Sequence, residues 1–135
     1  MLFRSYIWTG GIINGVSFTP TKSGTYTVTG TDANGCSNTA SKFITVLSLP
    51  TVTISSSVIS STICLGQPIT LSGNGASSYS WSGGISNGVA FTPTQTGTYT
   101  VTGIDVNGCI NSASQLVTIK MFVCARLLIN ELLCC

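Results

Sequence analysis

Residues 97–109 read Gly-Thr-Tyr-Thr-Val-Thr-Gly-Ile-Asp-Val-Asn-Gly-Cys, and this stretch decides the fold. Tyr99 and Val101 point to one side, while Thr98, Thr100 and Thr102 point to the other. A period of two carried by β-branched and aromatic residues marks a strand with one buried face. Asp105, Asn107 and Gly108 form the turn after it, and Asn-Gly is the strongest short turn signal because both residues tolerate positive φ. Working outward, 51–54, 68–72, 78–82, 89–92 and 115–119 are further predicted strands. They are separated by Gly73-Asn74-Gly75, Gly83-Gly84 and Asn87-Gly88. This density of short strands, with no helical period, predicts an all-β antiparallel sandwich. Its predicted interior is seamed by Trp81, Phe91, Tyr99 and Val101. Tyr99, just after Gly97, has the placement of a tyrosine corner, whose hydroxyl bonds back to nearby backbone. The other use of such aromatics is a sugar-stacking platform, but their position in alternating strands favours packing.

The same pattern occurs twice. Residues 6–46 align with 79–119 at an offset of 73 without a gap, with 27 identities in 41 positions. Tyr6 matches Tyr79, Trp8 matches Trp81, Phe18 matches Phe91, Tyr26 matches Tyr99 and Cys36 matches Cys109. The second copy is preceded by residues 50–78, whose counterpart in the first copy would fall before Met1. The expected organisation is therefore a partial repeat at 1–48, a complete repeat at 49–120 and a non-repeat tail at 121–135, in keeping with a tandem array.

Composition excludes much chemistry. The 135 residues include no His, and charged residues make up 6%, against about 25% in an ordinary soluble domain. Twenty Thr and nineteen Ser replace them. Without His, the usual general base is missing for any of these hydroxyls. No carboxylate pair lies within either repeat, and no phosphate-binding glycine motif is present. A net charge of +2 from scattered cations is no nucleic-acid surface. Asp32 and Asp105 occupy equivalent Asp-x-Asn-Gly turns. One carboxylate per repeat is thin for Ca²⁺, which takes six to eight oxygens, so these are expected to be Asx-type turns. No catalytic, cofactor-binding or metal-binding residue is assigned, and no cofactor is expected.

The six cysteines, at 36, 64, 109, 124, 134 and 135, form no CxxC and no Cys/His cluster. Disulfides fit them better, and disulfides imply an oxidising compartment. Pairing Cys64 with Cys109 would close a loop of about 45 residues, worth roughly 4 kcal/mol in the chain-entropy model. The difficulty is that these two connections belong to opposite ends of a plain immunoglobulin sandwich, and bridged Cα atoms lie within about 7 Å. Yet the N-terminus carries no secretory pattern, and no run approaches the length of a membrane span. Disulfide chemistry without a signal points to a piece of a longer secreted chain. The tail, MFVCARLLINELLCC, breaks the composition abruptly. Its spacing allows a short helix with Leu128, Leu132 and Cys135 near one face, and it reads as non-homologous sequence after a truncation or frameshift.

The residues Ile63-Cys64-Leu-Gly66-Gln, Tyr79-Ser-Trp81, Phe91-Thr-Pro93, Gly97-Thr-Tyr99-Thr-Val101-Thr and Asp105-Val-Asn107-Gly108-Cys109 resemble the PKD-like and immunoglobulin-like repeats of large secreted proteins of Bacteroidota. They are also similar to the SprB-type repeats of gliding adhesins. The resemblance covers about 6–119 of the chain. It implies a β-sandwich module strung in arrays on the cell surface or in secreted enzymes. The expected function is therefore non-catalytic: a spacer or presenting surface with neighbouring repeats of the parent chain as partners, and surface glycans or proteins as further partners. The alternative is an accessory carbohydrate-binding module of a secreted hydrolase. No nucleic acid and no membrane span are expected. The expected location of the parent is extracellular or at the cell surface.

Overall fold

The computed structural model describes residues 3–121, 125–126 and 132–133, and their regular structure is almost entirely β-strand. The chain divides into two compact units, 1–48 and 49–135.

The first unit is a single antiparallel sheet. Its strands are β1 (Phe3–Trp8), β2 (Gly24–Asp32) and β3 (Ser37–Ile44), in the order β1-β2-β3. The Thr-Tyr-Thr-Val-Thr run forms the central strand, as its alternation requires. The Thr27 and Ser41 hydroxyls, directly opposite each other, are 2.8 Å apart. Such cross-strand pairs are the unit of sheet stabilisation.

The second unit is a two-sheet sandwich. Its strands are β4 (Thr53–Ser56), β5 (Thr62–Cys64), β6 (Ile69–Asn74), β7 (Ser78–Trp81), β8 (Ala90–Phe91), β9 (Gly97–Ile104) and β10 (Ile110–Lys120). One sheet has the order β4-β6-β8 and the other β5-β10-β9-β7. Apart from β5, strands β4, β6 and β8 share one sheet and β7, β9 and β10 the other, the division found in immunoglobulin-like sandwiches. In β6, Ile69, Leu71 and Gly73 are buried while the residues between them are not. This alternation puts one face of the strand into the core. Ile69, Leu71, Val101 and Val117 are fully enclosed, with Ile63 and Val52 nearly so. Each such side chain contributes roughly 1.5–3 kcal/mol by burial. Trp81, Phe91, Tyr99 and Ile119 are partly buried and pack against this cluster.

Two glycines let the sheets approach. A Cβ on Gly73 would lie 2.7 Å from the Tyr79 ring and 2.9 Å from Val101. A Cβ on Gly103 would lie 2.7 Å from Val52 and 2.8 Å from Ala76. Both positions exclude a side chain at the inter-sheet contact.

The structure corrects two details of the expected architecture. The sandwich is not wholly antiparallel: β5 pairs parallel with β10, through Thr62↔Thr118, Ile63↔Ile119 and Cys64↔Lys120. The chain crosses between sheets after β4, so β5 runs beside the last strand in the same direction. In the tail, Ala125–Arg126 (β11) pairs antiparallel with Leu132–Leu133 (β12), so these residues are extended rather than helical. An isolated helix this short has little intrinsic stability. Leu128 and Cys135 lie outside the described residues.

The two units differ in three linked ways. Strands β1, β2 and β3 correspond by repeat offset to β7, β9 and β10, and among the described residues the first unit has no counterpart of β4, β5 or β6. Strand β8 exists because Ile69 and Thr70 of β6 pair with it; the equivalent residues 17–18 are not in a strand. Strand β10 reaches Lys120 because β5 pairs with its last three residues; β3 stops at Ile44.

Candidate functional site

The Asp-x-Asn-Gly turns are built identically in both units. Asp105 Oδ1 accepts the N–H of Asn107 at 2.8 Å and of Cys109 at 2.9 Å. Asp32 Oδ1 accepts the N–H of Asn34 at 2.8 Å and of Cys36 at 2.9 Å. The backbone closes round each carboxylate, with Asp105 N–H donating to the Cys109 carbonyl at 3.0 Å and Gly108 N–H to the Asp105 carbonyl at 3.1 Å. Gly108 sits at φ 81°, the left-handed region where glycine carries no Cβ penalty. Each carboxylate therefore serves as a local acceptor that nucleates its turn. Among the described residues no three His, Cys, Asp or Glu side chains converge as a metal cluster would.

Trp81, Phe91 and Tyr99 pack against the sandwich core. Phe91 and Tyr99 rings stack at 4.9 Å between centroids, tilted by 57°, a favourable edge-to-face geometry. Phe18 and Tyr26 repeat the arrangement at 5.1 Å and 58°. The Trp81 indole N–H donates to Asn87 Oδ1 at 2.9 Å, and Trp8 does the same to Asn14 at 3.1 Å. Asn87 Oδ1 also accepts the Gly73 N–H at 2.6 Å, so it ties the β7 side of the sandwich to β6.

The tyrosine corner expected at Tyr99 is not formed, and a different tyrosine, Tyr79, bonds back to nearby backbone. The Tyr79 hydroxyl accepts the Ala76 N–H and donates to the Ala76 carbonyl, both at 2.7 Å. Tyr99 makes no such bond among the described residues; its ring lies against Phe91 instead. The Gly-Thr-Tyr context misled because the Tyr99 ring packs on Phe91, while Tyr79 finds the Ala76 backbone three residues before it.

The Cys64–Cys109 bridge is not formed. Cys109 and Cys36 carry free thiols, whereas Cys64 is disulfide-bonded, with neither of them as its partner. Cys64 sits opposite Lys120 at one end of β10, and Cys109 immediately precedes the other end. At about 3.3 Å per residue, the strand carries them roughly 36 Å apart, far beyond the reach of a disulfide. Cys124, Cys134 and Cys135 lie outside the described residues.

Asn111 is a functional side chain that the sequence reading passed over. Its Nδ2 donates to the Pro50 carbonyl at 2.9 Å, across 61 residues of chain, and so anchors the start of the complete repeat. Its identity with Asn38 in the repeat alignment was the available signal. No helix among the described residues is long and apolar enough to cross a membrane. No protein-family model matches the chain, and no curated protein matches it.

Proposed function

We propose that this chain is a non-catalytic structural or adhesive repeat module, a spacer or presenting surface from a large secreted or cell-surface bacterial protein of the PKD-like and immunoglobulin-like repeat kind. The observation that carries this reading is the near-identity of the local machinery in the two units. The carboxylate-centred turn, the Trp-to-Asn bond, the Phe–Tyr stack and the Thr–Ser pair recur with distances agreeing within about 0.2 Å. The repeated residues thus serve folding, while the positions that differ carry no shared chemistry. The polar groups are spent on the fold in the same way: no buried side-chain polar atom among the described residues lacks a partner.

The test is location and inertness together. An antibody raised against the purified chain is expected to label intact cells of the source bacterium, and brief protease treatment of those cells removes the signal. Labelling that appears only after lysis overturns the surface assignment. Hydrolytic turnover by the purified chain on polysaccharide or peptide substrates overturns the non-catalytic one.

A further inference from the structure

The complete repeat contains three Asn-Gly pairs, at 74–75, 87–88 and 107–108. An asparagine before glycine carries a reaction of its own. The glycine backbone nitrogen gives up its proton to water and attacks the asparagine Cγ. A C–N bond forms there, the carboxamide C–N bond breaks, and ammonia leaves. Water then opens the resulting cyclic imide at either carbonyl, giving aspartate or isoaspartate. Glycine permits the approach because it has no Cβ in the way. Sequence primes all three pairs alike, and the fold separates them.

Asn87 and Asn74 are held at their side chains and at the glycines that follow. Asn87 Oδ1 accepts from the Trp81 indole at 2.9 Å and from the Gly73 N–H at 2.6 Å. The Gly88 N–H, on the nitrogen that would attack, donates to the carbonyl of the fully enclosed Leu71 at 2.9 Å. Asn74 Nδ2 donates to Ser55 Oγ at 3.2 Å and to the Ser72 carbonyl at 3.3 Å. Gly75 lies so close to the Thr51 carbonyl that a Cβ there would overlap it. Each of these asparagines must leave partners on strands before its Cγ can meet the next nitrogen. Asn107 differs because Asp105 does the acceptor's work in its turn, taking the N–H groups of Asn107 and Cys109 on Oδ1. The Asn107 carboxamide is exposed and bonds to none of the described residues. The Gly108 N–H donates to the Asp105 carbonyl at 3.1 Å, a bond within a turn whose residues 106–108 are all exposed.

We propose that Asn107 is a site of spontaneous covalent modification, converting to aspartate and isoaspartate in the folded protein while Asn74 and Asn87 persist. The neutral carboxamide becomes a carboxylate two residues from Asp105, so the tip of the β9–β10 hairpin gains a negative charge. The isoaspartate product also lengthens the main chain by one carbon, which upsets the spacing by which Asp105 Oδ1 holds both N–H groups. The turn that closes this hairpin thus carries a slow, one-way chemical change set by the fold. The inference does not depend on where the protein acts.

The experiment incubates the full chain at mildly alkaline pH and samples it over time. Each sample is digested with pepsin in acid, and mass spectrometry reads the amide-to-acid shift at each asparagine. Methylation by an isoaspartyl methyltransferase identifies the isoaspartate product. Asn107 is expected to convert at least about tenfold faster than Asn87 or Asn74, whose hydrogen bonds must break before the ring can close. The same incubation in urea is the control. There the three rates are expected to converge, because sequence no longer has the fold to separate them. A ratio below about tenfold in the folded chain overturns the proposal, as does faster conversion at Asn87 or Asn74. So does a folded chain that leaves Asn107 intact while the unfolded chain converts it. A spread of rates that persists in urea also overturns it, by assigning the difference to neighbouring residues in sequence.

Discussion

A single carboxylate oxygen holds each turn, and its replacement tests how much. Removing Asp105 leaves the N–H groups of Asn107 and Cys109 without their acceptor. Asp105→Ala is expected to cost about 1–2 kcal/mol, in line with lost caps and unpaired donors, read as a fall in urea midpoint at unchanged slope. Asp105→Asn, which keeps an acceptor oxygen, retains most of the stability. The cysteines give a second residue-scale prediction. Cys36 and Cys109 are free and at least partly exposed, so both are expected to take up iodoacetamide without denaturant, as mass spectrometry of the digest will show. Cys64 is expected to react only after reduction. These two cases also measure what residue types in sequence can disclose. An Asp followed by Asn-Gly binds backbone two and four residues away, so its role is local and legible. A disulfide depends on which chain ends meet in space, and the length of β10 decided that against Cys109.

At the scale of elements, the chain performs its own controlled comparison. Strands β2 and β9 share Thr-Tyr-Thr-Val-Thr-Gly, but among the described residues of each unit only β9 has a second sheet across it. Val101→Ala is expected to cost about 2 kcal/mol or more, transfer and cavity terms together. Val28→Ala, on a half-buried side chain, is expected to cost less than about 1 kcal/mol, as local opening energies from hydrogen exchange will report for each strand separately. A larger loss at Val28 would mean that its face is covered in solution. The long alternating strands were readable because a half-buried strand must alternate. Strand β5 was not: three residues hold no period, and Thr62–Cys64 is a strand only because Thr118, Ile119 and Lys120 lie beside it. Strand β8 is similar, two residues ordered by pairing with Ile69 and Thr70.

For the whole molecule, stability is expected to divide between the units. Among the described residues the fully enclosed side chains, Ile69, Leu71, Val101 and Val117, all belong to the second. Amides of β2 and β3 are therefore expected to exchange at least about tenfold faster than those of β9 and β10, a decade per 1.4 kcal/mol of opening energy. Equal protection in both units would contradict the difference in burial. The sequence by itself determined the all-β class, the repeat offset of 73, the carboxylate-centred turns and the exclusion of histidine-based chemistry, because these follow from residue type and local periodicity. Tertiary structure alone decided the parallel β5–β10 ladder, the fate of the cysteines and the reach of Asn111 to Pro50. Each of those depends on segments far apart in the chain meeting across two sheets, and no window of sequence contains both partners.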